Sequence, residues 1–352
     1  MTPPPEGSAD LSLWRAMLEV ARSSPSPHNV QPWRVRLLSS HRAELYIDGT
    51  RTLPNEDLTG CFVLSAMGMF LEALDLAACQ RGFCLDYRLT DDIHVFADKM
   101  ADSGSRGLTL FALLELSYEP TRAILFSASD LLARSTSRLC LKRKQIPEEA
   151  VAKLTALASE WGHLYTHLTD ERLIEEALDH NITAVFHDMN HPPYHDEIAS
   201  WFRFSPRAAA AHRDGLDWRC MNLSRAEFWM SARLPQVLKL PLARTLFRRR
   251  YRNQLGYVPA IGVLSGRFFE AEHTIASGRF LLRFWLEVTA LGLYFHPYGN
   301  LVTNAVAADW MRQRTGIEKS WLIFKIGYSD VPPRSLRRTV EQILLGENEV
   351  PS

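Results

Sequence analysis

Two short segments hold most of the groups in this chain that could do chemistry. Ser24-Pro25-Ser26-Pro27-His28-Asn29-Val30-Gln31-Pro32-Trp33 mixes hydroxyl, imidazole and amide side chains with prolines. Proline fixes φ and removes a donor, so such a loop holds its remaining polar groups in set directions. It reads either as a capped turn between a helix and a strand or as a rigid edge that hydrogen-bonds a heteroaromatic ring. Arg134-Ser135-Thr136-Ser137-Arg138 alternates guanidiniums and hydroxyls. In extended or first-turn backbone Arg134, Thr136 and Arg138 share a face, and arginine presents a bidentate fork to phosphate. That pattern suits a receptor for a dianion or polyol, or else a solvated basic face. Arg334, Arg337 and Arg338 pose the same choice near the C-terminus: a second phosphate clamp, or a basic helix start at the surface.

Other clusters are weaker. His187, His191 and His195 lie four apart, a spacing that stacks imidazoles on a helix and invites a metal. Pro192-Pro193 breaks that helix, no cysteine or carboxylate set completes the site, and no metal is expected. Arg248-Arg249-Arg250 and Arg252 read as a solvated helix face rather than a nucleic-acid contact. No GxGxxG after a strand, no P-loop and no G-x-S-x-G elbow occurs, so dinucleotide-binding, P-loop and α/β-hydrolase readings lack local support.

Composition sets the frame. The 352 residues (40.1 kDa) are 46% hydrophobic and 23% charged with zero formal net charge. That suits two domain-sized units, or one large domain of two halves, with a sizeable core. It offers no electrostatic footprint for nucleic acid or an anionic membrane. Cys61, Cys79, Cys84, Cys140 and Cys220 lack paired metal spacing and read as reduced, mostly buried thiols of a cytoplasmic protein. Met1 to Glu6 has no basic segment followed by an apolar one, so no signal peptide is expected. The apolar stretches Cys61 to Cys79 and Phe280 to Phe295 carry Glu72 and Asp75, and Arg283 and Glu287, and read as core helices rather than membrane spans.

The elements that must position these residues follow from periodicity. Leu11 to Ala21 has helical spacing. Trp33 to Leu37 and Ala43 to Ile47 alternate and read as paired strands. A helix from Cys61 to Arg81 ends at Gly82, and Phe83 to Leu89 reads as a strand. The order recurs: a helix from Ile275 to Leu291 stopped by Gly292, a strand from Leu293 to Phe295, then another from Ser320 to Ile326. A shift of 210 places Gly68, Phe70, Leu71, Leu76 and Gly82 on Gly278, Phe280, Leu281, Leu286 and Gly292, which suggests two divergent copies of one unit. Between Pro147 and about Gly266 the chain reads as helical with loops, starting at Pro147-Glu148-Glu149.

These residues resemble the nitroreductase family. Ser24 to Trp33 is similar to its P-S-x-x-N-x-Q-P-W loop, and Arg134-x-Thr136-x-Arg138 to its R-x-S/T-x-K/R flavin motif. Leu293 to Asn300 and Gly327-Tyr328 through Arg337-Arg338 resemble its C-terminal half. Glu197, Trp201, Arg203 and Asp214-Gly215 resemble the internally duplicated Acg-like branch. The resemblance implies an α+β nitroreductase-like fold: a central antiparallel-type sheet wrapped by helices, in two fused units that form an intramolecular pseudo-dimer. The expected parts are a mobile tail over 1–10, a first half over 11–125, a second over 126–345, and a candidate lid over 189–211. In ordinary family members the loop and the arginine motif come from different subunits. Here each half carries one of them, so one FMN is expected, not two.

The implied site follows from charge. Arg134, Arg337 and Arg338 are candidates for the FMN phosphate. Arg138 fits the anionic N1–O2 edge of reduced flavin by its motif position, and Thr136 a ribityl hydroxyl or the phosphate. Pro25, Ser26, His28, Asn29 and Gln31 belong to the loop wall, with Ser26, Asn29 and Gln31 meeting the ring edge. By resemblance, the backbone around Pro297, Tyr298 and Gly299 lies near N5. No residue is expected to act as a nucleophile, since the flavin carries the chemistry. The implied activity is hydride transfer from NADH or NADPH through FMN to an electron-poor small molecule, or substrate dehydrogenation. The alternative is a flavin-sequestering protein. The expected partner is a small-molecule substrate, with no nucleic acid or membrane, in a chain that is a monomeric pseudo-dimer or a homodimer.

Overall fold

A computed structural model describes residues 11–102, 107–233, 240–346 and 349. The segment 1–10, expected to be a mobile tail, lies outside the described residues. The first unit runs α1 (Ser12–Ala21), β1 (Trp33–Leu37), β2 (Arg42–Asp48), α2 (Cys61–Cys79), β3 (Phe83–Leu89), α3 (Asp92–Asp102) and β4 (Leu108–Tyr118). Then come α4 (Ala128–Ala133), α5 (Glu148–Glu160), β5 (Leu164–Leu168), α6 (Glu171–Asn190), α7 (Pro192–Ser200), β6 (Phe202–Arg203), α8 (Pro206–His212), β7 (Leu216–Asp217), α9 (Arg225–Arg233) and α10 (Pro241–Leu255). The chain closes with β8 (Ala260–Ser265), α11 (Ala271–Ala290), β9 (Tyr294–Pro297), α12 (Asn300–Thr303), α13 (Ala305–Thr315), β10 (Ser320–Gly327) and α14 (Val340–Ile343).

The two large sheets share one topology. Their strand orders are β1-β2-β4-β3 and β5-β8-β10-β9, and every neighbouring pair is antiparallel. In each, the second and third strands by chain order are joined through one long helix, α2 or α11. The chief difference lies between the first two strands. A tight turn joins β1 to β2, whereas residues 169–259, with α6 to α10, separate β5 from β8. A third, two-stranded parallel sheet, β6-β7, sits inside that insertion.

Helices α2 and α11 cross at glycines. A Cβ at Gly68 would lie 2.2 Å from the Ile275 carbonyl oxygen, and one at Gly278 would lie 2.1 Å from that of Ser65. Residue 275 is residue 65 shifted by 210, and residue 278 is residue 68 shifted by the same amount. The contact is therefore isologous, the pattern of a two-fold axis within one chain. Gly82 (φ 78°) and Gly292 (φ 69°), matched by the same shift, both adopt left-handed backbone just past the two helices. Helix α2 is long and apolar enough to cross a membrane, yet 94% of its most apolar window is buried inside the protein. One hydrophobic core includes residues of both sheets and both central helices, with Trp33 stacked on Phe70 and Trp285 on Phe295.

Candidate functional site

The loop from Ser24 to Trp33 is strained and is held in place by hydrogen bonds to distant segments. His28 (φ 44°), Asn29 (φ 58°) and Gln31 (φ 52°) all occupy the left-handed region, which non-glycine residues rarely adopt without support. The support comes from the middle and the far end of the chain. The Asn29 amide donates to the Gly215 and Leu336 carbonyls, and its oxygen accepts from Arg337 Nη1 at 2.7 Å. Gln31 Nε2 donates to the Arg213 carbonyl at 2.9 Å, and Gln31 Oε1 accepts from the Arg338 backbone N–H at 2.8 Å. Gly215 N–H returns a bond to the Asn29 carbonyl.

The insertion anchors that clamp. Arg203 donates twice to Asp214 Oδ1, at 2.9 and 2.6 Å, and Arg51 of the first unit pairs with Asp214 Oδ2. Both guanidiniums lie over the Trp201 ring, and Gly215 has no room for a Cβ because the Trp201 carbonyl lies 2.2 Å from that position. The residues Trp201, Arg203, Asp214 and Gly215 thus serve as a bracket for the loop of the other unit.

Loop and arginine motif face one cavity of about 540 Å³, a size typical of small-molecule sites. Pro25, Ser26, His28 and Asn29 line it, as do Arg134, Thr136 and Arg138, together with Pro297, Tyr298, Gly299 and Arg337. Residues 134–138 run beside β9, with Thr136 bridged to Phe295, and Ser137 turns away to Ser329. Arg134, Ser135, Thr136 and Arg138 all line the cavity. Gln31 and Arg338 depart from their expected roles. Neither lines the cavity: the Gln31 amide is engaged by Arg213 and Arg338, and Arg338 donates to the Gln31 and Gln342 carbonyls. Both hold the loop, because a strained loop needs its backbone and amides satisfied internally.

The charge on the wall is uncompensated. Among the described residues no carboxylate pairs with Arg134, Arg138, Arg334 or Arg337. Arg134 is buried, lies 4.4 Å from the Trp285 ring centre, and among the described residues leaves Nε and Nη1 without a hydrogen-bond partner, as Arg337 does its Nε. Burial, then the Arg337 and Arg334 charges, push Arg134 down to about 9; burial likewise pushes Arg337 down to about 10. Burial also lowers Arg138, whose Nη1 donates to the Cys220 carbonyl at 3.2 Å. Such a cluster calls for an anion.

Sequence patterns gave no sign of a second, acidic part of the same wall. Glu56, Asp57 and Asp188 line the cavity, the last from a stripe Asn181, Val185 and Asp188 on one face of α6. Asp57 Oδ2 accepts from the Val63 N–H at 2.8 Å and so caps the first turn of α2. The histidine spacing behaves as expected: α6 ends at Asn190 and α7 starts at Pro192, so His187, His191 and His195 do not share one helix.

No family model and no curated protein matches the chain. Among solved structures, a protein assigned to the nitroreductases from Anabaena variabilis is similar over 94% of this chain and 90% of its own, at 9% identity and a TM-score of 0.50. The FMN and NADPH-dependent nitroreductase NfnB from Sphigopyxis sp. strain HMH aligns over 64% of this chain and 100% of its own (16% identity, TM-score 0.38). The FMN-dependent NfnB from Mycobacterium smegmatis, solved with NADPH, aligns over 58% and 92% (17% identity, TM-score 0.31). The chain therefore has a nitroreductase-like fold in a fused form that fills nearly its whole length.

Proposed function

We propose that this cavity holds one FMN and that the chain is a flavin-dependent oxidoreductase, moving hydride from NADH or NADPH to a small electron-poor acceptor. The carrying observation is the buried arginine group with orphaned N–H donors and no carboxylate partner. A phosphate dianion supplies the missing charge and acceptor oxygens. Arg134 and Arg337 would hold that phosphate. Thr136 would bond the ribityl chain or phosphate, and Arg138 would stabilise negative charge on the ring's polar edge. Ser26 and the backbone of 297–299 would bound the ring. When bound, FMN supplies two-electron hydride chemistry.

Two duplicated units would give two such sites, and the second is filled. Under the 210 shift Met69 of the cavity wall corresponds to Arg279, and Trp285 to Asp75. Arg279 donates to Glu72 at 2.8 Å and to the Tyr87 hydroxyl at 3.3 Å, and Arg122 grips Asp75 at 2.6 and 2.7 Å. Ion-paired residues stand at these two positions of the other copy, which supports one flavin per chain.

The insertion supports a second reading, flavin storage. Its helices α6, α7, α9 and α10 contribute cavity wall, a wider cover than the lid expected over 189–211. The test separates both readings from a protein that binds no flavin. Purified protein should be yellow, and NADH or NADPH should bleach the band near roughly 450 nm within seconds. Slow photoreduction alone supports storage, and colourless protein refutes both.

A further inference from the structure

We propose that His28 and Glu56 form a proton relay in this cavity: His28 Nδ1 hands a proton to the reduced acceptor, and Glu56 replenishes it through His28 Nε2. The proposal rests on the flavin reading above. His28 Nε2 lies 3.0 Å from Glu56 Oε2, and both residues line the cavity. His28 Nδ1 is buried and has no hydrogen-bond partner among the described residues. His28 itself holds left-handed backbone, with φ at 44°.

The surroundings decide which atom carries the proton. Three carboxyl groups lie near Glu56, and each already accepts N–H bonds. Glu197 accepts from the Asn55 and Glu56 backbone and the Asn55 side chain, Asp57 from Val63, and Asp188 from the Asn300 side chain. Among the described residues Glu56 has no such donor, and its side-chain partner is the imidazole. Burial, then Glu197, Asp188 and Asp57, push Glu56 up to about 8, while burial and the adjacent Arg138 push His28 down to about 4. Near pH 7 both are neutral. The Glu56 O–H donates to Nε2, so the imidazole proton sits on Nδ1, the unpartnered atom.

The step balances. For a quinone acceptor, one hydride from NAD(P)H by way of the flavin and one proton give the hydroquinone. The Nδ1–H bond breaks as the acceptor O–H forms, and the Glu56 O–H breaks as Nε2–H forms. Glu56 is left as a carboxylate and His28 neutral, and solvent returns the proton.

Two variants and two readouts test this. His28→Asn keeps a residue type that tolerates the left-handed backbone, and Glu56→Gln keeps a donor to Nε2 without a transferable proton. Infrared spectra at pH 7 should show a protonated carboxyl stretch that Glu56→Gln removes. In stopped flow with 1,4-benzoquinone, both variants should slow flavin reoxidation about 10²-fold more than they slow flavin reduction by NAD(P)H. Flavin-bound protein with no carboxyl difference, or reoxidation at the wild-type rate, overturns the relay alone. Protein that binds no flavin overturns the flavin reading and the relay with it.

Discussion

Replacing Arg134 by methionine separates a ligand-binding arginine from a structural one. The substitution removes the charge and keeps most of the side chain's apolar reach. Arg134 is 6% exposed, has two unpartnered nitrogens, and pairs with no carboxylate among the described residues. An unpaired buried cation costs several kcal/mol, and the Trp285 ring at 4.4 Å offsets roughly 0.5–2 kcal/mol of it. The flavin-free variant should therefore be more stable than wild type, by about 1 kcal/mol or more. Binding moves the other way. A charged hydrogen bond to phosphate contributes about 1.5–3 kcal/mol, so FMN affinity should fall roughly 10- to 150-fold. Fluorescence quenching of FMN titrated with stripped protein reads the affinity, and thermal melts with and without FMN read the stability. Opposite signs are expected. A variant that loses stability without flavin and keeps wild-type FMN affinity would refute the assignment of Arg134 to the phosphate.

Asp214→Asn leaves Arg51 and Arg203 facing each other without their carboxylate and should destabilise the protein by about 3–5 kcal/mol. Because Gly215 and Arg213 hold Asn29 and Gln31, flavin should also dissociate faster, which gel filtration with absorbance detection reads. Gly68→Ala or Gly278→Ala puts a methyl against the facing backbone and should cost about 1–3 kcal/mol each; an unchanged melting temperature in both argues against the close crossing. Burial pushes the Glu227 carboxyl up, but bonds from Arg250 and Ser224 outweigh it and hold the group down at about 2. A depressed carboxyl stabilises the fold above its unfolded value and loses that contribution as pH falls through the folded one. The stability gap between wild type and Glu227→Gln should thus be full at pH 7 and vanish between about pH 4.5 and 2.

Local signals carried as far as local physics reaches. Trp33 to Leu37, Cys61 to Arg81 and Ile275 to Leu291 showed their periodicity, and the structure has β1, α2 and α11 there. β4 and β8 escaped because Leu108–Tyr118 has long apolar runs and Ala260–Ser265 is buried at every position, so neither alternates clearly. The Ser24 to Trp33 loop and the Arg134 to Arg138 segment were legible as chemistry, and the fold brings them into one cavity from opposite units. Gln31 and Arg338 were legible as residue types but not as scaffold, since that role depends on segments about 180 and 300 residues away in sequence. Glu56 gave no signal of its own. Its setting is made by Glu197 and Asp188, which only the folded chain places beside it.

The number of FMN molecules bound per chain tests the account most directly. Protein stripped of small molecules and reconstituted with excess FMN should retain one equivalent per chain by absorbance against protein mass, and Arg134→Met should reduce that retention at limiting FMN. Two equivalents would contradict the filled second site, and none would contradict the flavin site itself.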